Sequence, residues 1–415
     1  MRLRTAAASV GVLALALSAC SQGSATAPAT SAEGTTVVRY MNFSANNGHE
    51  KDLETIVAAF EKENANIDVR VETVPYADYF TTLQTAVAGG TAPDAFELNY
   101  ENFVTYAKNG SLTELSGVDS SKYKKSLVEA YASDGKQYGL PESFSNVVLF
   151  YNKTLFTQAG VATPTASWTW ADEQAAAQKL TNKGAGVWGD YQPVTYNEFY
   201  KVLAQTGGKF LSEDGKRATF DSPEGLKAAN WLVGKNGTTM PTEADGAGTP
   251  DFDSKLFKDG KLAMWHNGIW NFKELADVPF EWDVVVEPGD TTKASAMFVN
   301  GLVVSSASKG KGAAQKWITY LSASDTMTKV RMDTSWELPP VADEKKLSAF
   351  LDKPKPAGRK AVFDALEKAV LPPVIKRQQE MQDAVTKELG EAAAGRKPVA
   401  QALKDAQTAV NGLLG

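Results

Sequence analysis

From Thr36 onward, short runs rich in β-branched and aromatic residues alternate with segments whose apolar residues recur at helical spacing. Val37 to Met41 reads as a strand, and Leu53, Ile56, Val57 and Phe60 then line one helical face, with Asn47 and Glu50 as a capping pair. Ile67 to Val74 returns to a strand. Tyr79 to Ala88 reads as a helix closed by Gly89 and Gly90, and Ala95 to Leu98 as a short strand after Pro93. This βαβαβ rhythm implies an α/β fold with a mostly parallel, helix-covered sheet. In such sheets a ligand crevice lies beyond the carboxyl ends of the strands. On that ground three segments taken to follow strands become candidates for a site: Asn42 to Asn47, Glu97 to Asn102, and Glu142 to Asn146. The stretch Gly234 to Pro250 has turn-type composition and predicts a surface loop.

The amino terminus follows a different pattern. Met1 to Arg4 carry two positive charges, and Thr5 to Ala19 are almost entirely small or apolar. That run is short of the about 20 residues a membrane-spanning helix needs, and it matches the charged start and apolar middle of a secretory signal peptide. Residues 1–19 are therefore expected to be removed on export. Leu17, Ser18, Ala19 and Cys20 resemble the bacterial lipoprotein signal, in which cleavage before the Cys accompanies lipid attachment. Residues 20–35 contain no large apolar side chain apart from the lipidated Cys20 and are expected to form a flexible tether.

Composition removes several classes of function. The 415 residues include one Cys and two His, His49 and His266, far apart in sequence, which argues against a structural disulfide or a zinc site. The net charge of −6 argues against nucleic acid as a partner. There is no GxSxG elbow, no phosphate loop and no HExxH helix. No cofactor or metal is expected.

Several stretches taken in order resemble the extracellular solute-binding proteins of ATP-driven importers, in the branch of the maltose-binding protein and other sugar receptors. They are TAPDAFELN (Thr91 to Asn99) with NGSLTEL (Asn109 to Leu115), and DGKQYGLPESFSNVVLFYNKTLFTQAG (Asp134 to Gly160). SWTWADEQAAAQKLT (Ser167 to Thr181), FKDGKLAMWHNGIW (Phe257 to Trp270) and GLVVSSASKGKGAAQKWITYLSA (Gly301 to Ala323) follow, and Gly395 to Leu414 is similar to the family's last helices. The resemblance implies a two-lobed periplasmic-binding-protein-like clamp whose chain crosses between lobes three times, near Phe144 to Val147, Asn300 to Val303 and Glu337 to Pro340. Lobe one would comprise 36–145 plus 302–338, and lobe two 146–301 plus 339–415. The partners implied are a carbohydrate bound between the lobes, transmembrane permease subunits of an ABC importer, and a membrane reached through the lipid anchor at the outer face of the cytoplasmic membrane. A monomer is expected.

Sugar recognition combines planar polar side chains for hydroxyl groups with aromatic rings for the C–H face of a pyranose. Of the nine Trp, Trp231 and Trp317 fall on apolar helical faces, while Trp168, Trp170 and Trp282 suit packing roles. Trp265 and Trp270 bracket an Asn-Gly turn that could aim both indoles into a cleft. Trp270 matches the stacking Trp that relatives carry after a Gly-x-Trp. Trp336 sits beside the third crossing. The resemblance also marks Tyr196, Asn197 and Tyr200. From lobe one, Asn42, Ser44, Asn46, Glu97, Asn99, Glu142 and Asn146 are candidate hydroxyl partners, with Asn300 and Phe298 at the second crossing. Two other readings stay open: a glycoside hydrolase using Glu97, Glu142 or Asp221, and a receptor for an anionic solute anchored by Arg39, Arg70 or Arg331.

Overall fold

The computed structural model describes residues 34–414 except positions 47, 250 and 344. The expected signal peptide, the lipidation of Cys20, nearly all of the tether and the capping role of Asn47 fall outside the described residues. No described helix is long and apolar enough to cross a membrane.

The first strand, β1 (Thr36–Asn42), buries Val38 and Tyr40 on one face. It pairs in parallel with β2 (Ile67–Thr73) along its whole length, and with β3 (Ala95–Asn99) through Tyr40 and Met41. Between them α1 (Glu50–Glu63) buries Leu53, Ile56 and Phe60, and α2 (Tyr76–Ala88) buries Tyr79 and Leu83. Glu50 and Asp52 stand in the first turn of α1 and Lys62 in the last, as the helix dipole favours. The parallel βαβαβ unit read from the sequence is thus present. After β3, the helix α3 (Tyr100–Lys108) starts on Asn99, whose side chain accepts from the Asn102 amide.

A fourteen-residue strand, Gly139–Asn152, buried throughout, joins this unit to the rest of the sheet. Its first half pairs antiparallel with Ser295–Val304, which also pairs with β3. Its second half pairs with Met264–Gly268 and Trp282–Val285. The segment Glu142 to Asn146 therefore lies inside a strand rather than beyond its end. A register shift between Pro141 and Ser143 takes Glu142 out of the ladder and re-aims its side chain. One hydrophobic cluster draws on buried residues within 38–140 and 302–336, another within 147–296 and 375–410, and a third contains members from both ranges.

The stretch 234–250 is not simply a surface loop. Lys235, Thr239 and Met240 are buried, and Glu243–Gly246 forms a short helix. Turn-type composition marked the irregular backbone correctly but said nothing about Lys235, whose burial depends on distant carboxylates.

Candidate functional site

A cavity of about 290 Å³ lies where the loop after β1, the amino end of α2, the end of β3 and the middle of the two long strands meet Asn197, Asp251 and Trp270. Phe43, Ser44, Asn46 and His49 come from the loop, Tyr76 from α2, and Asn99 from the β3–α3 junction. Ser145, Phe298, Asn300 and Glu337 complete the lining.

The loop is held from below by side chains that do not themselves line the cavity. Glu97 Oε2 accepts the amides of Phe43 and Ser44, each at 3.0 Å. Asn42 Oδ1 accepts from Ala45 N at 3.1 Å while its Nδ2 donates to Thr73 Oγ1 at 3.1 Å. Trp336 Nε1 donates to Ser44 O at 2.9 Å, and its ring stacks on His49 with centroids 5.0 Å apart. Trp336 is wholly buried, so it braces the loop in place of the expected cleft position. Glu142 pairs with the buried Arg331 at 2.6 Å. Burial, with Glu142 and Glu337 close by, pushes the Glu97 carboxyl well above its usual range. Burial likewise raises Glu142, against the pull of Arg331.

The two indoles around the Asn-Gly turn separate. Trp265 is fully buried, stacks on Phe257 at 5.3 Å and donates through Nε1 to Asp253 at 2.9 Å. It lies within the strand Met264–Gly268 opposite Phe150, and the pleat directs its ring into the core. Trp270 lies past that strand, in a short 3-10 turn, and faces the cavity edge-on to Phe298 at 5.8 Å. Tyr196 is also buried, its hydroxyl donating to Pro373 O at 2.8 Å, and Tyr200 packs against it. Asn146 Nδ2 donates to Val362 O at 2.6 Å. The cavity thus gathers Asn46, Asn99, Asn197, Trp270 and Asn300, and leaves Asn42, Glu97, Glu142, Asn146, Tyr196, Tyr200, Trp265 and Trp336 behind its walls. His49, Tyr76, Asp251 and Glu337 also line the cavity and were not among the expected residues. For Glu337 a cue existed beside Trp336; for the others only spatial proximity identifies them.

The chemistry of the lining is one-sided. Ser44 Oγ, His49 Nε2 and Asn197 Oδ1 are buried atoms with no hydrogen-bond partner among the described residues. His49 Nδ1 lies 2.7 Å from Asp52 Oδ2, so the ring proton belongs on Nδ1 and Nε2 presents a lone pair. Burial lowers the His49 pKa to about 4, with Lys273 and Arg331 adding to the effect against Asp52, so the ring is neutral at pH 7. Glu337 accepts from Ser143 Oγ and from Asn300 Nδ2 at 3.1 Å. The described lining holds no Lys or Arg. Arg39 and Arg70 are bound elsewhere, to Thr91 O and Asp68, and Arg331 is buried under Trp336.

Two other places compete less well. An open hollow of about 620 Å³ between the end of α1 and the helix Lys311–Ala323 gathers none of the candidate residues. Deeper in the molecule, His266 is isolated in sequence but not in space. With Glu173 and Asp190, or with Glu198 and Glu287, it forms groups whose potential ligand atoms lie within 4.8 Å of one another. There Lys235 Nζ meets Glu173 and Asp190 at 2.5 Å each, and Lys201 Nζ meets Glu287 at 2.5 Å and Glu198 at 2.7 Å. These ammonium groups supply the cations that the carboxylates require, which makes the cluster a charge-compensated part of the core.

The chain is similar in sequence and structure to several known proteins. An ABC substrate-binding protein from Listeria monocytogenes, solved in complex with cycloalternan, is 45% identical, with a TM-score of 0.87 over 91% of this chain and 98% of that one. A maltooligosaccharide ABC transporter solute-binding lipoprotein of Streptococcus pneumoniae is 26% identical, over 95% of this chain and 93% of its own. The galactooligosaccharide-binding protein of Bacillus subtilis is 26% identical over 79% and 78%. The fold is the α/β periplasmic-binding-protein type. Residues 55–356 match the profile of the bacterial extracellular solute-binding proteins, and the chain belongs to that non-catalytic family.

Proposed function

We propose that this protein is the lipid-anchored receptor of an ABC importer and captures an uncharged oligosaccharide between two lobes for delivery to a membrane permease. The observation that carries the reading is the lining itself. Three buried polar atoms without partners among the described residues, on Ser44, His49 and Asn197, ask for a ligand rich in hydroxyl donors, and Trp270, Phe298, Phe43 and Tyr76 offer faces for its C–H surface. The relatives named above carry saccharides in their names or complexes, which points to the same ligand class.

Lobe one is assigned to 36–145 plus 302–338, and lobe two to 146–301 plus 339–415. The separate hydrophobic clusters within these ranges support the division. Three crossings are assigned near residues 144–147, 300–303 and 337–340. In support, Phe144 pairs with Val299 in the sheet and exchanges both backbone hydrogen bonds with Leu338, so the three segments run side by side. Closure around the ligand then shifts a population between open and closed forms. The signal-like residues 1–19 and Cys20 support export and lipid anchoring, and one S. pneumoniae relative is itself named a lipoprotein.

Calorimetry of the mature protein against cycloalternan, maltotriose, galactooligosaccharides and glycerol-3-phosphate tests the reading. Saturable one-to-one binding of a neutral saccharide, with none of the phosphate ester, is the expected result. Binding of the anion alone would replace it with the charged-solute reading, which the cation-free lining disfavours.

A further inference from the structure

We infer that Lys273 is a latch across the cleft, and that it acts on the ligand through a second residue, His49, which accepts a hydrogen bond from a ligand hydroxyl. The inference rests on the reading of two lobes closing over a hydroxyl-bearing ligand, and adds to it the residues that hold the closed form.

Lys273 immediately follows the 3-10 turn Ile269–Phe272 that carries Trp270. Its Nζ donates to Gly48 O and to Asp52 Oδ2, each at 2.6 Å, across more than 200 residues of sequence. Gly48 and Asp52 flank His49, on the loop and first turn of α1. The same Asp52 oxygen accepts a hydrogen bond from His49 Nδ1 at 2.7 Å. One carboxylate oxygen therefore joins a cation from the Trp270 wall to a ring on the opposite wall. Asp52 is only 13% exposed and Lys273 33%, so water screens the pair less than an open surface contact.

His49 is built to present one atom. Trp336 lies nearly parallel to it, at 7°, and fixes the plane of the ring. Asp52 fixes the tautomer, leaving Nε2 as an acceptor. That atom is buried and has no partner among the described residues, and His49 lines the cavity. A donor such as a sugar hydroxyl satisfies it without bringing charge. A hydroxyl on Nε2 and the ammonium on Asp52 then belong to one hydrogen-bonded chain, in which each bond polarises the next. Opening the cleft removes Lys273 from Asp52, so the chain is complete only when both walls meet.

Lys273→Gln and His49→Phe test this, the second keeping a flat ring on Trp336 while deleting both nitrogens. Stopped-flow tryptophan fluorescence with the saccharide that wild type binds measures association and dissociation separately, and small-angle X-ray scattering of the free proteins reports opening. Lys273→Gln is expected to speed dissociation about fivefold, leave association within about twofold, and enlarge the radius of gyration of the free protein. The wild-type dissociation rate should rise with salt, and that of Lys273→Gln should not. His49→Phe should weaken affinity about tenfold, with its Tm within about 2 °C of wild type. A dissociation rate unchanged by Lys273→Gln overturns the latch, and a His49→Phe protein that binds as tightly as wild type overturns the acceptor. If wild type binds no saccharide, the sugar reading falls by itself, and the latch stands or falls on the scattering of the free wild type and Lys273→Gln.

Discussion

Gly268 has no room for a side chain, because the Trp270 indole lies across it: a Cβ built there would sit 1.8 Å from ring atom Cζ3. Gly268→Ala must therefore displace the ring from its present position beside the cavity. Sugar affinity should fall as far as in Trp270→Ala, for which a loss of about 2 kcal/mol, or roughly thirtyfold, is expected. Calorimetry reads both. Trp265→Ala should do the reverse, opening a hole among Phe150, Phe257 and Asp253 that costs about 3–5 kcal/mol in urea denaturation. Six residues, Trp265 to Trp270, hold both indoles, and of the two Trp270 lines the cavity, while the motif left Trp265 undecided. Pleat direction decides it, and that requires knowing where the strand ends. His49 was invisible for another reason. Nothing local shows that Asp52, Lys273 and Trp336 converge on it.

A second prediction at this scale concerns His266. Burial lowers its pKa, but the charges of Glu173 and Asp190, with hydrogen bonds donated by the ring to Glu173 and Glu287, outweigh burial and raise it to about 9. Lys201 and Lys235 face the same carboxylates. The folded pKa exceeds the unfolded value near 6.5, so the stabilisation is fully present below about pH 6.5 and lost as pH rises through about 9. At about 1.4 kcal/mol per pKa unit the loss is on the order of a few kcal/mol. Urea midpoints between pH 6 and 9.5 should fall for wild type and change much less for His266→Gln. Equal slopes would show that other groups govern the decline.

Among elements, the strand Gly139–Asn152 carries the most structural consequence and was the least legible. Its residues are buried on both faces, so no alternation marks it, and Pro141, Glu142, Ser143, Ser145 and Asn146 within it suggest a loop. The β1–α1–β2–α2–β3 unit was legible because α1 and α2 each bury one face, β2 alternates at its start, and Pro93 marks the entry to the short β3. The partner strand is held against Tyr131, whose hydroxyl lies within hydrogen-bond distance of Leu98 O and Val299 O. A Cβ at Gly301 would stand 2.2 Å from the Tyr131 ring. Gly301→Ala should destabilise the protein by about 1–3 kcal/mol, seen as a lower denaturation midpoint. Because this strand pairs with Gly139–Asn152 at the assigned crossings, the same variant should also change how far the free protein opens in scattering.

At the scale of the whole molecule, the division of labour is between braces and contacts. Glu97, Asn42 and Trp336 support the loop after β1, and Ser44, Asn46 and His49 on that loop face the cavity. Sequence order alone placed both sets in one list, since the segments after strands contain each. Their position relative to the cavity separates them. The claim common to every scale is that this cavity holds a neutral saccharide, and a crystal structure of the mature protein with the saccharide it binds tests that claim most directly. The expected result is a sugar ring against Trp270, with hydroxyl groups on Ser44 Oγ, His49 Nε2 and Asn197 Oδ1. A saccharide ordered in the hollow beside α1, or one that leaves those three atoms unbonded, would contradict it.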